Sequence, residues 1–257
     1  MAGIASDDRV AAPSGRVAVV TGAAAGLGAE YAIRLAELGH DVAVCDIEPP
    51  EGTVAALRET GRKAFGMCAD ASNPKDVERF GAAVRDQLGP VEILVNNVGI
   101  SPFTPFDEIT LEEWQKVMTV NLDSVFLVTR AFLDDMKARK WGRIVNITSL
   151  MAWDAQSRDV VHYVTSKLGV LGFTRSLASE VGAYGITVNA ICPGIIRTPV
   201  LDERLSPERW DRYLDRQVIK EIAEPKDLLG ALTMLVSEES GFITAVNLPV
   251  HAGRVWA

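Results

Sequence analysis

Short runs rich in β-branched residues recur along this chain, each separated from the next by a stretch with helical spacing. That alternation constrains the fold more than any other feature. Residues 16–21 (RVAVVT), 41–46 (DVAVCD), 63–68, 91–95 (VEILV), 143–148 (RIVNIT), 186–192 (ITVNAIC) and 243–250 read as strands. Between them, 26–39, 51–60, a stretch opened by Asn73-Pro74, 110–139, 160–182, a short piece from Ser206-Pro207 and 225–236 read as helices. Asn73 and Ser206 are placed to cap, with proline at the first helical position, and Thr110-x-x-Glu113 has the form of a capping box. Strand and helix in strict alternation predict a doubly wound α/β layer: a mostly parallel sheet of seven strands with helices on both faces. No linker or composition break divides the chain, so 1–257 reads as one domain with a flexible lead-in over 1–14. Residues 197–224 interrupt the rhythm. They carry Trp210, Tyr213, Leu214 and Val218 among charges, and are expected to form a substrate lid.

Composition removes several functions. The formal net charge of the 257 residues is -8, which disfavours binding nucleic acid through phosphates. No apolar run reaches membrane-spanning length, and the first fifteen residues lack a signal-peptide core. Cys45, Cys68 and Cys192 are odd in number and widely spaced, so they are expected to be buried, reduced thiols in a cytoplasmic protein rather than disulfide partners or zinc ligands. No metal site is expected.

The first strand runs into Thr21-Gly22-Ala23-Ala24-Ala25-Gly26-Leu27-Gly28. Glycines there let the backbone turn tightly, and a helix N-terminus then offers free N–H groups to a pyrophosphate. A glycine turn alone is weak evidence; its place after the first strand of a β-α repeat makes it informative. Asp46 ends the second strand, where a carboxylate can accept from ribose hydroxyls and would repel a 2′-phosphate. No basic residue stands in the glycine turn or directly after Asp46, so NAD is expected rather than NADP.

The spacing Gly22-x-x-x-Gly26-x-Gly28 is joined by Asn96-Asn97-Val98-Gly99, Asn121, Asn146-x-x-Ser149, Tyr163-x-x-x-Lys167 and Pro193-Gly194. In this order the motifs resemble the short-chain dehydrogenase/reductase family over roughly residues 15–250. The resemblance implies a Rossmann-type fold and a cofactor held by Gly22, Gly26, Leu27, Gly28, Asp46, Asp70, Ala71, Asn97, Gly99, Tyr163, Lys167, Pro193, Gly194, Ile196 and Thr198. For Asp70 a simple turn role is nearly as good a reading. The resemblance also implies a catalytic set of Asn121, Ser149, Tyr163 and Lys167. Tyr163 would exchange a proton with the substrate oxygen, Lys167 would lower its pKa and bind the nicotinamide ribose, Ser149 would orient the oxygen, and Asn121 would hold Lys167 through a water. The chemistry agrees: tyrosine is too weak an acid to act as base near neutrality unless a nearby ammonium favours the phenolate.

The chain departs from the family in two places. The loop from Leu150 to His162 carries one residue more than the family pattern, and 243–253 lacks its usual glycine-rich form, with Pro249 in an expected edge strand. Ser101, Met151, Trp153 and Trp210 are expected to line the substrate pocket. The stretch from Glu92 to Ile147 resembles members acting on small aromatic or cyclic alcohols, so the expected reaction interconverts a secondary alcohol and a ketone with NAD. Two alternatives stand beside it: a 3-oxoacyl-acyl-carrier-protein reductase, and a cofactor-binding sensor without chemistry. A homo-oligomer, tetramer or dimer, is expected from apolar residues on the helices at 110–138 and 160–182. His162 reads as packing or surface, and Asp107, Glu108, Glu112 and Glu113 as acids favouring a helix start.

Overall fold

The computed structural model describes residues 15–154, 157–197 and 206–254. The lead-in at 1–14 and Thr198 lie outside these residues. Seven strands form one sheet: β1 (Val17–Thr21), β2 (Asp41–Asp46), β3 (Ala64–Cys68), β4 (Ile93–Asn96), β5 (Gly142–Ile147), β6 (Ile186–Pro193) and β7 (Asn247–Val250). Their order is β3-β2-β1-β4-β5-β6-β7. Every neighbouring pair is parallel, so the sheet is parallel throughout rather than mostly so.

The helices are α1 (Gly26–Glu37), α2 (Glu51–Glu59), α3 (Pro74–Gln87), α4 (Leu111–Met118), α5 (Ser124–Arg139), α6 (Val161–Val181), α7 (Pro207–Asp215) and α8 (Leu229–Val236). Strand residues alternate between two cores. Ala18, Val20, Val42, Val44, Ile93 and Val95 pack with α1, α2 and α8 on one face. Val17, Val19, Ala43, Cys45 and Leu94 pack with α3, α5 and α6 on the other. Both faces of the central strands are therefore covered, which is why their sequences are almost continuously apolar.

Five local expectations change. The helix expected over 110–139 is broken by a π turn, Thr119–Asp123, in which the Ser124 N–H donates to the Thr119 carbonyl. The wider turn accompanies a tertiary bond pair: Asn121 Oδ1 accepts from Ile100 N at 2.8 Å and Asn121 Nδ2 donates to Ile100 O at 2.9 Å. Only half of the capping box forms. Thr110 accepts from Glu113 N, whereas the Glu113 carboxylate turns to Thr104 and His162. The last strand begins at Asn247 rather than near 243; before it, the Asn189 side chain holds the chain beside β6, with Nδ2 donating to Ile243 O and Oδ1 accepting from Val246 N. Pro249 falls on the edge strand β7, where a missing N–H disrupts no central ladder. Ser206 holds the cap position of α7 without a side-chain cap bond. The three cysteines are unpaired, but Cys68 is exposed rather than buried.

Candidate active site

Strand order reverses between β1 and β4, so the connections leaving their C-terminal ends diverge and open a crevice. The glycine turn forms one lip. Gly22 and Gly26 take φ of +65° and +62°, a region that favours glycine. A Cβ on Gly28 would lie 2.1 Å from the Gly22 carbonyl oxygen, so only glycine lets α1 start this close to β1. The N-terminus of α1 has no side-chain cap and no acid in its first turn, and nothing lies within 4 Å of the place a Cβ on Gly26 would take. Uncapped N–H groups facing open space fit a pyrophosphate. Asp46 Oδ2 accepts from Ala24 N at 2.9 Å, placing a carboxylate beside the turn.

Asn97 joins the two diverging strands. Its backbone N–H donates to Thr21 Oγ1, and its Nδ2 donates to the carbonyls of Thr21 and Gly22. At the end of β3, Asp70 accepts from the Ser72 N–H and hydroxyl, a turn-closing role, while Ala71 is buried in the adjacent core.

Around the ends of β4, β5 and β6 lies a cavity of about 770 Å³. Ser149, Tyr163, Lys167, Leu27, Asn97, Gly99, Pro193, Gly194 and Ile196 line it, together with Ser101 and Met151. Gly22, Gly26, Gly28, Asp46, Asp70 and Ala71 do not line it; Asp46 ends β2 and the others follow the C-terminal ends of β1 and β3. The Ser101 hydroxyl is buried without a hydrogen-bond partner. Two pocket expectations fail in geometry. Trp153 is 40% exposed and off the cavity, because the 3-10 turn Leu150–Ala152 keeps Met151 on the wall and carries Trp153 outward. Trp210 is buried against Tyr213, and it is Tyr213 that takes the cavity wall.

Tyr163 and Lys167 share a face of α6, with Lys167 Nζ 5.8 Å from the Tyr163 ring centroid. Lys167 is buried and donates to the Ile147 carbonyl at the end of β5, 2.8 Å away. Burial lowers its pKa to about 8. The Tyr163 phenol goes the other way from expectation. Burial raises its pKa, a hydrogen bond with Ser149 opposes that rise, and the nearby Cys192 adds to it. Desolvation penalises the charged form of each group, and it is the largest cause of both shifts. Asn121 lies behind the cavity. Its side chain is used by Ile100 and by the Ser166 hydroxyl, 3.0 Å from Nδ2. A Cβ on Gly99 would sit 3.2 Å from Lys167 Nζ and 3.5 Å from Asn121 Oδ1, so Gly99 keeps these two side chains adjacent.

Two side-chain groups escaped the sequence reading. His162 is buried; its Nδ1 accepts from Tyr163 N at 2.9 Å, and its Nε2 lies 2.9 Å from Glu113 Oε1. The first bond satisfies an N–H in the opening turn of α6 and fixes the imidazole tautomer, so Nε2 carries the proton toward Glu113. Glu113 stands in the first turn of α4, as expected, and is also a partner across the site; bonds from Thr104 and His162 hold its pKa low. The second group is Asp154 with Arg216 and Arg254. Its members stand 62 and 100 residues apart, and no local pattern could have joined them. Among the described residues, no cluster of His, Cys, Asp and Glu could hold a metal, and no helix is long and apolar enough to cross a membrane.

This chain belongs to the short chain dehydrogenase family, whose model matches residues 16–209. It is an NAD(P)-dependent oxidoreductase acting on alcohol and ketone groups. Among its relatives, the (2S)-[(R)-hydroxy(phenyl)methyl]succinyl-CoA dehydrogenase subunit of Thauera aromatica is 38% identical over 242 residues, 93% of this chain and 96% of that one. The 3-oxoacyl-acyl-carrier-protein reductase of Vibrio cholerae is 34% identical over 239 residues, 93% and 97% of the two chains. A crystal structure of an actinorhodin polyketide ketoreductase variant with NADPH superposes with a TM-score of 0.87 at 36% identity, covering 93% of this chain and 97% of that one.

Proposed function

We propose that this protein interconverts a secondary alcohol and a ketone with NAD, on substrates with an apolar aromatic or cyclic body. The observation that carries the reading is the convergence of Ser149, Tyr163 and Lys167 on one cavity wall. In the reducing direction Tyr163 gives its phenolic proton to the carbonyl oxygen, and its burial keeps that proton in place at neutral pH. Ser149 hydrogen-bonds the same oxygen and orients it. Lys167, still largely charged at neutrality, stabilises the phenolate that Tyr163 becomes and holds the nicotinamide ribose. Asn121 is a positioning residue that keeps Ile100 and the α6 face in register. A bound nicotinamide supplies the hydride to the carbonyl carbon, or accepts it from the carbinol carbon in the reverse direction.

For the cofactor, Gly22, Gly26, Leu27 and Gly28 would hold the pyrophosphate, Asp46 the adenosine ribose, Asp70 and Ala71 the adenine side, and Asn97, Gly99, Pro193, Gly194 and Ile196 the nicotinamide end. The Asp46 carboxylate at the glycine turn supports NAD over NADP. The benzylic alcohol in the name of the Thauera aromatica relative's substrate supports an aromatic body. Residues 197–224 would act as a lid; Tyr213 of this segment lies on the cavity wall. Exposed Phe126 on α5 and Leu168 on α6 support a homo-oligomer, dimer or tetramer, and the unpaired thiols support the cytoplasm. A second reading, reduction of a 3-oxoacyl thioester, is favoured by the Vibrio cholerae relative. Initial rates decide: oxidation of 1-phenylethanol with NAD supports the first reading, and faster turnover of a 3-oxoacyl thioester with NADPH than of any free ketone with NADH reverses the ranking.

A further inference from the structure

We propose that the substrate carries a carboxylate besides its reacting hydroxyl or ketone, and that Arg254 receives it. The inference rests on the reading of Tyr163 as the proton-exchanging group of this cavity, and it names the substrate class.

Arg254 lines the same cavity as Ser149 and Tyr163. Its side chain is 6% exposed. The guanidinium lies over the Tyr213 ring, 4.2 Å from the centroid, and one nitrogen is 2.8 Å from Asp154 Oδ2. Its backbone N–H is fixed by the His251 carbonyl and Nδ1, so the residue is anchored just past β7. Asp154 is also engaged by Arg216, whose two terminal nitrogens meet both carboxylate oxygens at 3.2 and 3.1 Å. Two guanidinium groups thus share one carboxylate, leaving one positive charge among these three side chains. Arg254 Nε is buried with no hydrogen-bond partner. A buried cation with an open donor is costly unless an anion completes it.

The rest of the wall has the same sign. Lys116 and Arg158 also line the cavity and are exposed to solvent. The acids on the wall are Glu113 and Asp154, and both are already engaged, by Thr104 and His162 and by the two arginines. A chain with a net charge of -8 therefore presents a surplus of cations in this cavity. The cofactor's phosphates do not account for it, since the glycines of the phosphate turn lie off this cavity. Arg254 Nε is the open donor of this guanidinium and would give a charge-assisted hydrogen bond to one oxygen of a carboxylate, and exposed lysine and arginine at the rim would steer the anion inward.

The test is calorimetric and needs no turnover. Two pairs of ketones, acetophenone with 4-acetylbenzoate and 2-pentanone with 4-oxopentanoate, are titrated into the full chain. The chain is held with the oxidised form of whichever nicotinamide cofactor it binds, so no hydride is available. The acid of at least one pair should bind about tenfold tighter than its neutral partner or better, with the gap shrinking at high salt. Arg254→Gln should erase the gap and Arg254→Lys should keep part of it. Equal affinities in both pairs, or a gap unchanged in Arg254→Gln, would overturn the proposal; if that variant does not fold, the wild-type pairs and Arg254→Lys still decide. Acids that bind but are never reduced with NADH would sink the functional reading alone, whereas reduction of acetophenone with no acid preference would sink this one alone.

Discussion

The two halves of the crevice are held together by different means. On the proposed cofactor side, each tie ends on the backbone of one short turn: a Cβ on Gly28 would meet the Gly22 carbonyl, Ala24 N donates to the Asp46 side chain, and the Asn97 side chain donates to the carbonyls of Thr21 and Gly22. On the substrate side the ties are side chains from distant parts of the chain: His162 with Glu113, and Asp154 with Arg216 and Arg254. A backbone constraint admits few residue types and so leaves a mark in the sequence. A pair of side chains can be exchanged together and leaves none.

The largest expected effect falls where the halves meet. Lys167→Met removes the charge proposed to stabilise the Tyr163 phenolate and should lower kcat/KM by about 10²–10⁴-fold. In the wild type, the pKa near 8 predicts that kcat/KM for NADH, which reports the free enzyme, declines above about pH 8; a profile flat to pH 10 contradicts that assignment. The stability sign follows from the same shift. The folded-state pKa lies below the unfolded value near 10.5, so the unfolded chain holds the extra proton between these limits. Relative to Lys167→Met, wild-type stability should rise from about pH 8 to 10.5, by up to about 3 kcal/mol, and that gain is lost as pH falls through 8. Thermal melts of the pair across this range would show it; a difference independent of pH would contradict it.

On the cofactor side alone, Asp46→Asn keeps an acceptor for Ala24 N and removes the charge. The ratio of kcat/KM for NAD over NADP should fall by about tenfold or more, with the melting temperature nearly unchanged. A ratio that does not move would break the reading of Asp46. On the substrate side, His162→Ala leaves the Tyr163 N–H without its partner and should cost about 1–3 kcal/mol in denaturant unfolding. If His162 also positions Tyr163, kcat should fall while the cofactor KM holds, and His162→Asn, which can cap, should restore part of it. The smallest effect is expected at Trp153: exposed and off the cavity, its change to Ala should alter KM less than about twofold. A larger change would return it to the pocket.

The same division explains what could be read beforehand. The alternation of β-branched runs with helical stretches was enough for the layers and the seven strands, because burial on both faces demands apolar strands. Gly22, Asn97, Ser149, Tyr163 and Lys167 were legible as motifs; the first three follow the C-terminal ends of β1, β4 and β5, and the last two come from α6. The π turn at Asn121 was not legible, since its cause is a bond to Ile100 rather than any break in helical spacing. Nor was the late start of the last strand, where the Asn189 side chain bonds Ile243 and Val246 from 54 and 57 residues away. The tryptophans misled because aromatic size suggests a pocket, whereas Trp153 is turned outward and Trp210 packs against Tyr213.

The central claim is tested most directly by initial rates of 1-phenylethanol oxidation with NAD and with NADP, for the wild type and Tyr163→Phe. The account predicts a strong preference for NAD and a fall in kcat of about 10²–10⁴-fold in the variant, with NAD binding retained. A preference for NADP would contradict the role given to Asp46, and activity surviving in Tyr163→Phe would contradict the mechanism itself.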